Sequence, residues 1–530
     1  MKTYGRTTIL ANISEKELLA LEGKDLDVKI IEILYNSAPL HQKNRTETIY
    51  LKDYVYGDQD IKDKEKKTRE EINNKIVENW AWAFVDFKKN YLLGRPIQYV
   101  QRNDTGSDEI TLLNKYVGYE GKTVKDGNDY FDDLVCGRGF TYINKDIDKT
   151  DQVLEDDEAP FEIVNCPAED TEVVYSSRLG NEQLFAYICT QMVYYTVSNK
   201  EDNKEIVYEP HYYDEYQVYL RNKVVTYNDK SGTLQRVGEE IPLLYNEHLI
   251  IESYLNPRRI SLVEIGKDLF DNVNNLESLD ADDVEQFVNA IMVFKNASVD
   301  EEDIEEIKKL GAVSISSTDG QQASVDLLQQ RLNSADTQSY YNRLLDAMHM
   351  ILGVPRASDD GQMQNGDTGK AKLTGQGFTS AGIRATGDEN MIKLHDSKKL
   401  KIILRVCKEN TNSGIKDIKV SDIENKLQID QRDNLLTKTQ GLMNLYACDI
   451  PREIANSIVN LFNDPHSVSV QQEELFGKQT SRNQSNQGNI MQNDEENVDT
   501  TNDPRISDEN RVNAQNNLIK NKEMIDSQDQ

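Results

Sequence analysis

The alternation of apolar and polar positions divides the chain into helical and strand-like stretches. Residues 13–36 predict a helix, with Ser14 able to cap it and Leu18, Leu19, Leu21, Ile30, Ile31 and Ile33 as its apolar positions. Residues 66–93 predict a second helix, because Ile72, Ile76, Trp80, Ala83, Phe84, Phe87 and Tyr91 recur three and four residues apart. Gly94 and Pro96 stop it. Between 97 and 255 the pattern changes to tyrosine-rich alternating runs, among them FEIVNCP, TEVVYSS, QLFAYICTQMVYYTV, EYQVYLRNKVVTYN and IPLLYNEHLIIESYL, which read as strands. From Pro257 the helical period returns through Leu262, Ile265, Leu269, Val273 and Leu276, and resumes after an acidic stretch at Val284, Phe287, Val288 and Ile291.

A small β insert is expected next, in which AIMVFKN and GAVSIS flank an amphipathic helix, EEDIEEIKKL. A helix over 334–353 follows, with Tyr340, Tyr341, Leu344, Leu345, Met348, Ile351 and Leu352 on its apolar face and Gly353 and Pro355 ending it. A glycine-rich loop leads to a basic helix, MIKLHDSKKLKIILRV, then a strand signal (IKDIKV, NKLQI) and two amphipathic helices, about Arg432 to Tyr446 and Pro451 to Phe462. Residues 476–530 hold 18 asparagines and glutamines and one aromatic, Phe476, so too little apolar surface is available to offset ordering entropy and a disordered tail is expected. The fold class is therefore α+β.

Charge narrows the function classes. Across 530 residues the 61 lysines and arginines and 92 acids leave a net charge of −31. General nucleic-acid binding rests on cations neutralising phosphates, so it is excluded, as is a basic membrane-surface protein. No apolar run of transmembrane length and no signal-type segment occurs. Cys136, Cys166, Cys189, Cys407 and Cys448 are far apart and odd in number, the usage of a reducing compartment, with the thiols structural. His41, His211, His248, His349, His395 and His466 share no metal-ligand spacing, and the acids form no EF-hand pattern. The run Gly366-Asp-Thr-Gly369-Lys370 is no P-loop, because position 364 is Gln and position 371 is Ala rather than Ser or Thr. No catalytic residue, metal or cofactor is expected.

Two stretches depart from the average charge. Residues 264–306 hold fourteen acids and two lysines, a net of −12. This is either a solvated helix face or one wall of a negatively charged cavity. Residues 356–405 carry nine cations (Arg356, Lys370, Lys372, Arg384, Lys393, Lys398, Lys399, Lys401, Arg405) against six acids, a net of +3, around the glycine-rich loop. This is either an ordinary flexible loop beside a basic helix or a mobile loop able to touch a polyanion without gripping it.

Two motifs carry a resemblance. Tyr54-Val-Tyr-Gly57-Asp-Gln59-Asp-Ile61 resembles a Tyr-x-Gly-x-Gln-x-Ile stretch, and the helix with Asp86 that ends in Leu93-Gly94-Arg-Pro96-Ile97 resembles a Leu-Gly-x-Pro-Ile turn, both of the portal proteins of tailed double-stranded-DNA bacteriophages, in the branch from siphophages of Gram-positive hosts. Asp282-Asp-Val-Glu-Gln-Phe-Val-Asn-Ala-Ile-Met-Val resembles that family's passage from stem helix to clip, and Gly369-Lys-Ala-Lys-Leu373 the start of the helix after its tunnel loop. The resemblance spans roughly 45–475; Gly375, Gly377, Gly382 and Gly387 depart from it by interrupting what should be a long helix.

The resemblance implies a portal fold: an N-terminal helical arm over 1–45, a wing over 46–256, a stem helix over 257–291, a clip over 292–333, a second stem helix over 334–353, a tunnel loop over 354–370, a long kinked helix returning to the wing over 371–430, crown helices over 431–475 and the polar tail. It implies a ring, usually of twelve copies, whose central channel passes double-stranded DNA into and out of a capsid. Its partners would be a terminase large subunit, scaffold and major capsid proteins, and a head-completion adaptor; no membrane is involved. Its place would be a unique vertex of the virion, with assembly in the host cytoplasm. On this reading Glu277, Asp280 and Asp283 line the channel, Lys370, Lys372 and Arg384 approach DNA, and Gly57, Gln59, Asp86, Gly94, Pro96, Gly353 and Pro355 are structural. The alternatives are another structural virion or scaffold-like assembly protein and, from a different class, a packaging ATPase.

Overall fold

A computed structural model describes residues 5–67, 70–102, 107–145, 154, 157–200, 205–243, 245–288, 291–295, 324–328, 334–356, 378–427, 435–448, 450–459, 468 and 472. The chain divides into two units, residues 1–434 and 435–530.

The first unit opens with β1 (Ile9–Ala11), α1 (Glu15–Leu19) and α2 (Gly23–Val55). The Ser14 cap is present: its hydroxyl accepts from the Glu17 amide while Glu17 reaches back to the Ser14 amide. The helix expected over 13–36 is thus two helices, and the second runs through Pro39 to Val55. After α3 (Trp80–Leu93) come β2 (Gln98–Gln101), α4 (Ser107–Tyr119), α5 (Lys122–Val135), β3 (Gly139–Lys145), β4 (Phe161–Asn165), β5 (Thr171–Ser176), β6 (Gln183–Lys200), β7 (Glu205–Tyr219), β8 (Lys223–Asn228), β9 (Gln235–Pro242) and β10 (Ile250–Ser253). α6 (Leu262–Val288), β11 (Ile291–Lys295), β12 (Ser324–Leu328), α7 (Ser334–Leu352), α8 (Phe378–Glu409) and β13 (Ile423–Lys426) complete it.

The molecule is α+β. A six-stranded sheet has the order β1-β5-β6-β7-β8-β9, a three-stranded sheet β10-β3-β4, and two pairs join β11 to β12 and β2 to β13. One apolar core lies among α3, α5, α6, α7, α8 and the three-stranded sheet, around Phe84, Phe140, Phe270, Met348 and Ile403. A second lies between α2 and the six-stranded sheet, around Leu26, Ile30, Phe185 and Tyr187.

Several elements differ from expectation for physical reasons. The helix expected from 66 begins only at Trp80, with Asn79 as its side-chain cap. Residues 72–79 instead lie along α6, because three of their backbone amides bond to α6 side chains, as described below. The stretch 97–255 contains two helices as well as strands. α5 escaped the hydrophobic pattern because charged residues occupy its buried face: Lys122, Asp126, Asp129 and Asp133 follow the four-three-four helical spacing and are all buried. IKDIKV is a loop, not a strand, since the amides of Lys416, Asp417 and Ile418 all donate to the Glu109 carboxylate. α8 runs without a break through Gly382 and Gly387. Ile291–Lys295 of AIMVFKN form β11, whereas GAVSIS, EEDIEEIKKL, most of the glycine-rich loop including Lys370 and Lys372, and the 476–530 tail lie outside the described residues.

The second unit holds α9 (Leu435–Ala447) and α10 (Arg452–Val459), close to expectation. The Tyr446 hydroxyl joins them by donating to Asn456 at 2.6 Å.

Candidate functional site

The acidic helix α6 is fixed first at its N-terminus. The Ser261 hydroxyl accepts from the Glu264 amide at 3.0 Å while Glu264 accepts from the Ser261 amide at 2.8 Å, a reciprocal cap. The same carboxylate takes the Gly5 amide and the buried Arg6 guanidinium.

Further along, the strap of residues 72–79 is bonded rung by rung. The Glu78 amide donates to Asn274 Oδ1 at 2.8 Å, the Ile76 amide to Ser278 Oγ at 2.9 Å, and the Asn74 amide to Asp282 Oδ1 at 2.6 Å. Alternate residues of the strap thus meet every fourth residue of α6, and all three acceptors are buried. Lys64 and Lys66 each reach Asp282 Oδ2 at 3.1 Å. Burial alone would raise the Asp282 pKa. The Asn74 amide and the two lysines outweigh it and hold the carboxyl down at about 2. The strap is tied at its other end too, because Tyr341 of α7 donates to both Glu78 oxygens at 2.9 Å.

Glu277, Asp280 and Asp283 are half-buried on the same helix. Burial and then the charges of Glu78 and Asp280 raise the Glu277 pKa. Burial and Asp280 raise that of Asp283, against an opposing pull from Lys66. Among the described residues these carboxylates form no ion pair and sit in the field of neighbouring acids, Asp283 also feeling Lys66, whereas Asp282 is bonded directly. Sequence spacing alone could not separate the two kinds of acid.

α7 ends in a turn set by Gly353, which has a φ of +71°. Its amide and that of Val354 both donate to the His349 carbonyl, and Pro355 follows. Arg384 of α8 lies across this end, donating to the Ile351 carbonyl at 2.6 Å. A Cβ at position 353 would come within 2.4 Å of the Arg384 side chain. Arg384 is exposed yet docked on α7.

The other cations of the basic stretch are largely engaged within the chain. Lys399 is buried against Asp126 and Asp129 of α5. Lys401 and Arg405 both pair with Glu247, Lys393 with Glu389, and Arg356 with Asp346. On α5, Lys122 bonds Asp126 at 2.5 Å and Asp396 of α8 at 2.6 Å. Asp396 also accepts from Tyr99 and Asn425. A cavity of about 20 Å³, room for one water, opens beside this network between Asp133, Ser253, His395 and Lys399. Burial and then Lys398, Lys399 and Arg259 push the His395 pKa down to about 3, so its ring is neutral.

The motif residues are joints. Gly57 has a φ of +96° just past α2. Gln59 is buried and donates to the Tyr54 carbonyl and to Asn79, while accepting from Asn274 of α6, so it links three helices. Asp86 accepts from Asn90 one turn on. Gly94 caps α3 so closely that a Cβ would lie 2.4 Å from the Asn90 carbonyl oxygen. Pro96 follows, exposed.

Charge-bearing helices locked by caps, a strap and buried ion pairs make a site that presents a surface. Among the described residues no cluster of histidine, cysteine or acids is arranged to hold a metal. Among them, too, no helix is long and apolar enough to cross a membrane. Residues 38–475 match the family model for "Phage portal protein, SPP1 Gp6-like". The chain belongs to this family of phage portal proteins, a structural family rather than an enzyme family. The match begins inside α2, slightly ahead of the residues whose motifs suggested it. A curated relative, the "Portal protein" of Bacillus phage SPP1, is 26% identical over 231 residues, 42% of this chain and 42% of the relative. The alignment thus spans less than half of either protein.

Proposed function

We propose that the chain is the subunit of a portal ring, of twelve copies, at a unique capsid vertex of a virion assembled in the host cytoplasm. Its channel passes double-stranded DNA during packaging and ejection. It docks the terminase large subunit and later a head-completion adaptor, and it meets scaffold and major capsid proteins during assembly. In this reading α6 and α7 are stem helices, with the wing before them and the clip between them. The observation that carries it is the family match, which runs unbroken through α3, α6, α7 and α8. The acids Glu277, Asp280 and Asp283, in no ion pair among the described residues, support it. A polyanion slides past a wall of like charge, whereas each bound phosphate on a basic wall adds counterion-release affinity.

The test is direct. Purified full-length protein, viewed by negative stain and weighed by native mass spectrometry, is expected to form rings with a central hole and a mass of twelve chains. Monomers at every concentration would overturn the reading.

A further inference from the structure

The second core is a helix-on-sheet layer that ends before the sheet does. Tyr187 of β6 sits under α2, its hydroxyl 3.4 Å from Ser37 and its ring 5.5 Å from that of His41. Phe185, Tyr187 and Cys189 form a buried row on this face. The row continues outward as Gln191, Val193 and Tyr195, opposite Asp214, Tyr212 and Pro210 on β7. There α2 no longer covers it: Val193 is 45% exposed, Tyr195 59% and Tyr212 65%.

Among the described residues this outer part is a ribbon of two strands. β5 accompanies β6 only as far as Ile188, and β8 accompanies β7 only from Glu215. The register runs on to Lys200 opposite Glu205, so the ribbon projects by about 34 Å at ~3.4 Å per residue. Its opposite face has its own cover, since Lys230 lies over the rings of Tyr194 and Tyr213 and His211 stacks on Tyr194. Beyond Asp214 at its inner end, the bare face carries Val193, Tyr195, Pro210 and Tyr212. Such tyrosine-rich, charge-poor surface is the composition of interface centres.

The same chain displays a fitting counterpart. On the outer side of α2, Val28, Tyr35 and Ile49 fall on one stripe of seven-residue period and are 66%, 56% and 40% exposed. We propose that the bare ribbon face takes the outer α2 stripe of a second copy, continuing the helix-on-sheet layer across the subunit boundary. The two patches differ, so the contact is head-to-tail, the kind that closes into rings. Chains of net charge −31 repel one another, and the apolar outer end of the ribbon, beyond Asp214, against an apolar stripe is where two such chains meet with little like-charge repulsion. The proposal deepens the ring reading and rests on it.

The experiment uses full-length protein with a benzophenone amino acid replacing Tyr195. Irradiated rings are expected to yield cross-links between copies, landing within residues 23–55. In parallel, Tyr195→Ser with Tyr212→Ser, and separately Tyr35→Ser, should raise the concentration needed for half-assembly at least tenfold. Thr196→Ala, on the covered face, should leave it unchanged. Circular dichroism should stay that of wild type, because the substituted side chains are exposed and Tyr35 gives up one exposed hydrogen bond, from the Leu234 amide. Rings that assemble normally in the variants, or cross-links elsewhere, overturn the proposal and leave the ring reading standing. Normal rings that fail to enter procapsids made with the major capsid protein would also overturn it and assign the face to that partner. Wild-type protein that never assembles overturns both.

Discussion

Asp282 shows how much one carboxylate can hold in place. It accepts the Asn74 amide and two lysines from a segment more than 200 positions earlier in the chain. Removing it in Asp282→Ala strands a backbone amide and leaves Lys64 and Lys66 without their partner, at an expected cost of about 2–4 kcal/mol. The pH dependence follows from the direction of its shift. A carboxyl lowered to about 2 in the folded state stabilises the fold above its unfolded value of about 3.9. That contribution fades as pH falls from about 4 toward 2. Urea unfolding of wild type and Asp282→Asn should therefore differ clearly at pH 7 and converge near pH 2. A gap that persists at pH 2 would show that the carboxylate charge is not what holds the strap.

At the scale of elements, the buried junction of α5 and α8 converts sequence charge into architecture. Lys399→Met leaves Asp126 and Asp129 facing each other with one cation fewer, and should destabilise by about 3–5 kcal/mol. Adding Asp129→Asn should recover part of that loss in equilibrium unfolding, since the two residues are coupled. Purely additive losses would argue against the ion pair. This junction also explains what the sequence made legible. Helices with apolar stripes, such as α6 from Leu262 and α7 from Ser334, could be read from spacing, as could the Ser14 cap and the Gly353 stop. α5 could not, because its buried face is ionic and the partners Asp396 and Lys399 that complete its charge balance lie on α8, some 270 residues on. The strap could not either: its helical-looking spacing yields to hydrogen bonds that α6 supplies from afar. For the candidate site, the acids of 264–306 were found as a group. Their division into bonded Asp282 and the acids Glu277, Asp280 and Asp283, which form no ion pair among the described residues, required the fold.

For the whole molecule, the distribution of charge matters more than its sum. Most of the cations that stand out between 356 and 405 are spent on internal partners, and Arg384 is docked on the end of α7. Lys370 and Lys372 are the cations of the glycine-rich loop to test against DNA. Lys370→Glu with Lys372→Glu should leave ring assembly intact and lower the amount of DNA packaged or retained in heads, measured by nuclease protection. Unchanged packaging by such rings would remove these lysines from any role in DNA passage.

The strap on α6 also acts as a vernier. Four helical residues rise about 6.0 Å, and two extended residues span about 6.6–6.8 Å. Successive acceptors on the helix also swing about 40° around its axis. Two scales with such unequal divisions coincide over only a few marks, and here they coincide over three, at Asn274, Ser278 and Asp282. A slip by one mark would break the alignment at both ends. The strap thus gauges where α6 stands along its own axis and admits one setting.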